Sequence, residues 1–212
     1  MRTLDKQAQQ ALTPASALEI LQHGNDRFVN NLKANRDLLQ QANATVSGQF
    51  PFAIILSCID SRTSVELIFD QGLGDVFSVR VAGNIINDDI LGSMEFACKL
   101  AGSKLIVVLG HSHCGAIKGA CNDVQLEHLT GLLDKIKPTV TSVRNEENQL
   151  EGDDLVQRVA ESNVQATVEQ IMQKSKVLKE MIDNGEIGIA GGMYDIKSGH
   201  VEFFPGTGTS KY

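Results

Sequence analysis

The sequence predicts an α/β fold, a mostly parallel β-sheet flanked by helices and preceded by an N-terminal helical arm. Three observations point there. Two short apolar runs, Phe52-Ala53-Ile54-Ile55-Leu56 and Leu105-Ile106-Val107-Val108-Leu109, lack polar alternation and suit strands buried on both faces. Helical and strand-like segments alternate along the chain, the pattern of right-handed crossovers between parallel strands. No Pro/Ser-rich linker, repeat or low-complexity stretch interrupts the 212 residues. A single domain over 1–212 is therefore expected, with 1–35 as the arm and 50–205 as the α/β core.

The elements follow in order. Thr13-Pro14, with Ser16 to Glu19 as a capping box, opens an amphipathic helix whose apolar stripe runs Leu18, Leu21, Phe28, Leu32. The first strand ends at Cys58; Ser64 to Gln71 reads as a short helix stopped by Gly72, and Val76 to Val81 as a strand. Asn87-Asp88-Asp89 opens a helix that runs through Leu100 to a stop at Gly102, and the next strand ends at His111. Gln125 to Ile136 is helical, as is one long helix over Asp154 to Asp183, closed by Asn184-Gly185. Ile187 to Asp195 and Val201 to Phe204 read as strands around the turn Lys197-Ser198-Gly199.

Composition excludes several classes of partner. A formal net charge of −7 with dispersed basic residues argues against nucleic acid or an anionic membrane surface. Residues 1–13 lack an apolar export core and no run is long enough to cross a bilayer, so a cytoplasmic protein is expected. Four cysteines, two of them beside His and Asp, suit metal or thiol chemistry in a reducing compartment better than a disulfide framework.

The chemistry is concentrated in Cys58-Ile59-Asp60-Ser61-Arg62 and His111-Ser112-His113-Cys114, each closing one of the two apolar runs. In an open parallel sheet the crevice outside the carboxyl ends of the strands collects ligands, so Cys58, His111 and Cys114 can converge there. Two thiolates and an imidazole are a Zn2+ set with one position left over, the pattern of a catalytic site. Asp60 leaves two readings open. It could close the metal shell, giving a structural or inactive site, or Arg62 could hold its carboxylate off the metal in a bidentate fork, leaving it as an acceptor for the proton of a zinc-bound hydroxide. Cys98 and Cys121 read as helix packing, His113 as a hydrogen-bonded structural residue before a proton carrier, and His23, His128 and His200 as ordinary helix or turn positions.

The paired motifs CIDSR and HSHCG resemble those of the β-class carbonic anhydrases, over about Leu18 to Phe204. The resemblance implies reversible hydration of carbon dioxide to bicarbonate, with Cys58, His111 and Cys114 on zinc and Asp60 and Arg62 as the catalytic dyad. Zinc acidifies a water, the hydroxide attacks carbon dioxide, and the dyad orients it and gates the metal, Asp60 ligating only in a closed form. It further implies that Phe77, Ala82, Gly83 and Phe96 line the carbon dioxide pocket, that the Gly115 backbone holds bicarbonate, and that Gln49 reaches a neighbouring subunit's site. Homodimers, often paired into tetramers, are implied too, with a long N-terminal helix laid over the partner. Ile55 stands where some bicarbonate-inhibited bacterial relatives carry Trp, although Arg80 keeps their basic partner, so no inhibitory site of that form is expected. Carbon disulfide or carbonyl sulfide is the alternative substrate, and a closed structural zinc in a binding module the non-enzymatic reading.

Overall fold

The computed structural model describes residues 3–205. Three helices precede the sheet: α1 (Lys6–Ala11), α2 (Pro14–Val29) and α3 (Leu38–Ala44). The capping box is Thr13 with Ser16, three residues earlier than the expected Ser16 to Glu19. Thr13 Oγ1 accepts the Ser16 N–H at 3.1 Å while Ser16 Oγ accepts the Thr13 N–H at 2.9 Å. Pro14 fixes the first helical φ, so the helix has to start there. At the other end Asn30 caps α2 and Asn31 turns to φ 55°, which leaves Leu32 beyond the helix and exposed instead of on its buried stripe.

Five strands follow: β1 (Ala53–Ser57), β2 (Val76–Arg80), β3 (Leu105–His111), β4 (Gly188–Tyr194) and β5 (Val201–Phe203). Their spatial order is β2-β1-β3-β4-β5; every neighbouring pair is parallel except β4 and β5. Helix α4 (Val65–Ile68) links β1 to β2, and α5 (Asp88–Glu95), extended by a π turn over Phe96–Leu100, links β2 to β3. Between β3 and β4 run α6 (Gly115–Cys121), α7 (Glu127–Leu133), α8 (Lys137–Glu146), α9 (Gly152–Lys174) and α10 (Lys176–Asp183). The single helix expected over Asp154 to Asp183 is thus two. Ser175 breaks it with extended backbone, its side chain accepting the Leu178 N–H at 3.2 Å and donating to Glu95 at 2.6 Å.

Strand pleating divides β1 between two cores. Ile54, Leu56 and Cys58 join Ile106 and Val108 under α5, α6, α9 and α10, whereas Ala53 and Ile55 join Leu105, Val107 and Leu109 under α2 and α4. Both faces are covered, which is why neither run alternates with polar residues. Each large side chain so buried stabilises the fold by about 1.5–3 kcal/mol. Helix α9 lies directly on β3 because Gly110 carries no side chain: a Cβ there would meet Met193 Sδ and Val164 Cγ2, each at 2.6 Å.

Register then places the chemistry. Ser57 pairs with Leu109, so Cys58 leaves the sheet beside Gly110, while β3 runs on through Gly110 to His111 opposite Tyr194.

Candidate metal centre

Cys58 follows the last residue of β1, His111 is the last residue of β3, and Cys114 caps the N-terminus of α6. His113, at φ 55°, makes the tight turn that lets His111 and Cys114 face one point. One ligand atom from each of Cys58, His111 and Cys114 lies within 4.8 Å of the others, and all three residues are buried. The two sulfurs are 3.9 Å apart.

The imidazole is oriented by its backbone. His111 Nδ1 and Ser112 O are 2.9 Å apart, so Nδ1–H donates to the carbonyl and the Nε2 lone pair is left toward the sulfurs. Nε2 is buried without a hydrogen-bond partner, in a residue only 1% exposed. A buried polar atom of this kind is costly unless something binds it. Contact with Cys114 lowers the pKa of Cys58, against the opposing effect of burial and with help from His111 and the Gly83 and Asp60 N–H groups. Contact with Cys58 and burial raise that of Cys114. Two crowded thiols and a bare imidazole nitrogen are soft and borderline donors suited to zinc, with a fourth position for water.

Beside the trio the loop from Cys58 to Thr63 is tied down. Arg62 grips Asp60 with both ends of its fork, Nε to Oδ1 at 2.9 Å and Nη2 to Oδ2 at 2.8 Å, and the Arg62 N–H adds a third bond at 2.9 Å. The Arg62 guanidinium holds the Asp60 carboxyl far below the ordinary carboxylate range, although burial opposes it. Thr63 Oγ1 donates to the carbonyls of Cys58 (3.0 Å) and Asp60 (2.9 Å). Arg80 also donates to both carbonyls, so its guanidinium serves the loop, while Ile55 is buried in the core on the other face of the sheet.

A cavity of about 360 Å³ opens against this loop, lined by Cys58, Asp60, Ala82 and Gly115 with an apolar wall that includes Val124, Leu129 and Leu133. Of the residues expected around the substrate, Ala82 and Gly115 line this cavity, and Gly83 donates its N–H to Cys58 Sγ at 3.4 Å. Phe77 and Phe96 lie elsewhere in the single chain. They form an edge-to-face pair, ring centroids 6.2 Å apart, in an open groove with Ile54, Val79 and Gly92. Gln49 is exposed ahead of β1. Cys98 and Cys121 are buried free thiols outside the trio, and burial pushes Cys98 up to about 12. His113 is exposed and lines a separate groove with Asp153, Asp154 and Tyr194. The wall from α7 was missed by sequence reasoning because Leu129 and Leu133 carry only a short amphipathic signal.

Residues 53–201 match the profile of the carbonic anhydrase family. Carbonic anhydrase 2 of Mycobacterium tuberculosis is 35% identical over 192 residues, covering 88% of this chain and 90% of the relative. A carbonic anhydrase of Mycolicibacterium smegmatis is 33% identical over 196 residues, with 89% and 92% covered. Among solved structures, the beta-carbonic anhydrase CcaA superposes with a TM-score of 0.73 at 29% identity, covering 92% of this chain and 97% of that one. The beta-carbonic anhydrase CafA of Aspergillus fumigatus does so with 0.73 at 26% identity, with 93% and 92% covered. Profile, relatives and fold agree with the Cys-His-Cys trio: the chain belongs to the β-class carbonic anhydrases, a family of zinc-dependent enzymes that hydrate carbon dioxide.

Proposed function

We propose that this chain catalyses the reversible hydration of carbon dioxide to bicarbonate and a proton, with zinc held by Cys58, His111 and Cys114. The observation that carries this reading is the buried, unpartnered His111 Nε2 facing two sulfurs beside a carboxylate already gripped by arginine. When bound, zinc would supply the Lewis acidity that makes water a nucleophile near neutral pH. The chain supplies the rest. Arg62 occupies both oxygens of Asp60 and keeps them from closing the shell, which favours an open catalytic site over a closed structural one. Asp60, kept ionised, accepts a hydrogen bond from the attacking water or hydroxide and so orients it. The apolar wall with Ala82 holds carbon dioxide without competing hydrogen bonds, and the Gly115 backbone steadies bicarbonate.

The working unit in this reading is a homodimer or a pair of dimers, in which Gln49, Phe77 and Phe96 of a second copy complete the cavity. Its support is that Gln49 is exposed and that Phe96, 53% exposed, lies in an open groove beside the half-buried Phe77. Residues 1–35 act as the arm that embraces the partner and 50–205 as the catalytic core. No helix among the described residues is long and apolar enough to cross a membrane, and the four free thiols suit the reducing cytoplasm.

Stopped-flow carbon dioxide hydration by the purified protein, with metal content measured alongside, tests the reading. The expected result is close to one zinc per chain and fast hydration abolished by chelation. A zinc-loaded protein that does not accelerate hydration would overturn it. Analytical ultracentrifugation of the same sample is expected to show dimers or tetramers, and a monomer with full activity would refute the shared site.

A further inference from the structure

Helix α9 packs an apolar stripe that includes Val159, Ala160, Val164, Val168 and Ile171 against the sheet, yet two buried members of that stripe are polar. Asn163 and Thr167 are each only 3% exposed. A polar side chain in such a stripe is unfavourable without a partner, so its partner indicates what it is for. Asn163 Nδ2 donates to Gly83 O at 2.9 Å, whereas Thr167 Oγ1 reaches Asn84 O only at 3.5 Å, the limit of a hydrogen bond. Gly83 in turn donates its N–H to Cys58 Sγ at 3.4 Å.

Gly83 sits at φ 71° and ψ 17°, a conformation open to glycine, and a Cβ there would strike Ile136 Cδ1 at 2.7 Å. The Asn84 N–H, which shares a peptide plane with the Gly83 carbonyl, donates to Val81 O at 3.0 Å. Asn163 anchors the same plane from its carbonyl side, and the two bonds together restrict the neighbouring plane whose N–H meets the sulfur.

We infer that Asn163 is a positioning residue for the metal centre, acting through the Gly83 turn to keep a backbone N–H on the Cys58 sulfur. The inference rests on the reading of Cys58 as a metal ligand. A hydrogen bond to a ligating thiolate stabilises the sulfur lone pairs, lowers its donation to the metal and fixes its direction. An Asn163 with a merely structural role would satisfy one buried carbonyl and leave the sulfur unaffected.

The test uses the full chain with cobalt(II) in place of zinc, because thiolate-to-cobalt charge transfer reads the energy of the sulfur lone pairs directly. Asn163→Leu removes the donor at similar volume, and Asn163→Ala removes it with a smaller side chain, which guards against one variant failing to fold. Thr167→Val, on the same buried stripe, is the control. The expected result is a charge-transfer band moved to longer wavelength in the Asn163 variant that folds and unmoved in Thr167→Val, with metal affinity weakened about tenfold in the former. A parent band that stays in place in the folded Asn163 variants, or that moves equally in Thr167→Val, overturns this inference alone. A parent protein that takes up cobalt without any thiolate band overturns the metal reading and this inference with it.

Discussion

At the scale of single residues the centre depends on a few atoms with no substitutes. Cys114→Ala removes one of three protein donors and is expected to lose most bound zinc and hydration activity together, whereas Cys98→Ala, outside the trio, keeps both; zinc analysis of dialysed protein checks this. Arg62→Ala is expected to keep its zinc and lose activity on the order of 100-fold, since it frees both oxygens of Asp60 to compete for the open position. Parent rates in that variant would refute the role of the fork. These residues were legible in the sequence because zinc chemistry demands particular side chains, and Cys, His, Asp and Arg in two short motifs are rarely assembled otherwise. Gly83 and Asn163 act through backbone groups. A backbone N–H belongs to every residue type except proline, so no letter in the sequence marks its contact with Cys58.

At the scale of elements, strands and their ends were legible and the helical connections less so. Apolar runs, Gly stops and Asn87 as a helix cap marked β1, β3 and α5, since each reflects a local rule. The short helices α1 and α3 and the break at Ser175 carry local caps in Asp5, Asp37 and Ser175, but distant partners also hold two of them, Pro51 and Ala101 for Gln9 of α1 and Glu95 for Ser175. Asp70, at φ 43°, shows this at the end of α4: it accepts bonds from Arg27, Arg36 and the Ala34 N–H and so ties the segment after α2 to the sheet layer. Burial pushes its pKa up, but these donors outweigh that and hold it lower than usual. A carboxyl depressed on folding stabilises the native state above its unfolded value near 4, and the contribution is lost as pH falls through the native value. Asp70→Asn keeps the left-handed backbone tolerable but removes the carboxylate that Arg27 and Arg36 share, so a loss of about 3 kcal/mol is expected at pH 7. Urea unfolding at pH 7 and again near pH 3 checks the sign: the gap between parent and variant is expected to shrink in acid.

At the scale of the whole molecule, ligand charge sets the working range. Two thiolates cancel the charge of a divalent ion, which then acidifies water less than a three-imidazole site does. Hydration activity is therefore expected to rise from neutral to alkaline pH with a midpoint above about 7, and a pH-rate profile centred below 7 would contradict the ligand set. What the sequence did not disclose at this scale is the separation of Phe77 and Phe96 from the cavity beside Cys58, since which surface a second copy completes depends on the folded shape. The strand order carries a kinetic consequence of its own. Because β1 and β3 are adjacent while β2 occupies the outer edge, Cys58 meets His111 only after the chain has doubled back past the whole of β2 and α5. A denatured chain offers the ion local donors such as His111 and Cys114 but holds Cys58 far off in sequence, so the third native donor arrives once the sheet has assembled. Zinc then acts as a late stitch that slows unfolding and leaves the refolding rate nearly unchanged, a split that stopped-flow unfolding and refolding with and without the ion would resolve.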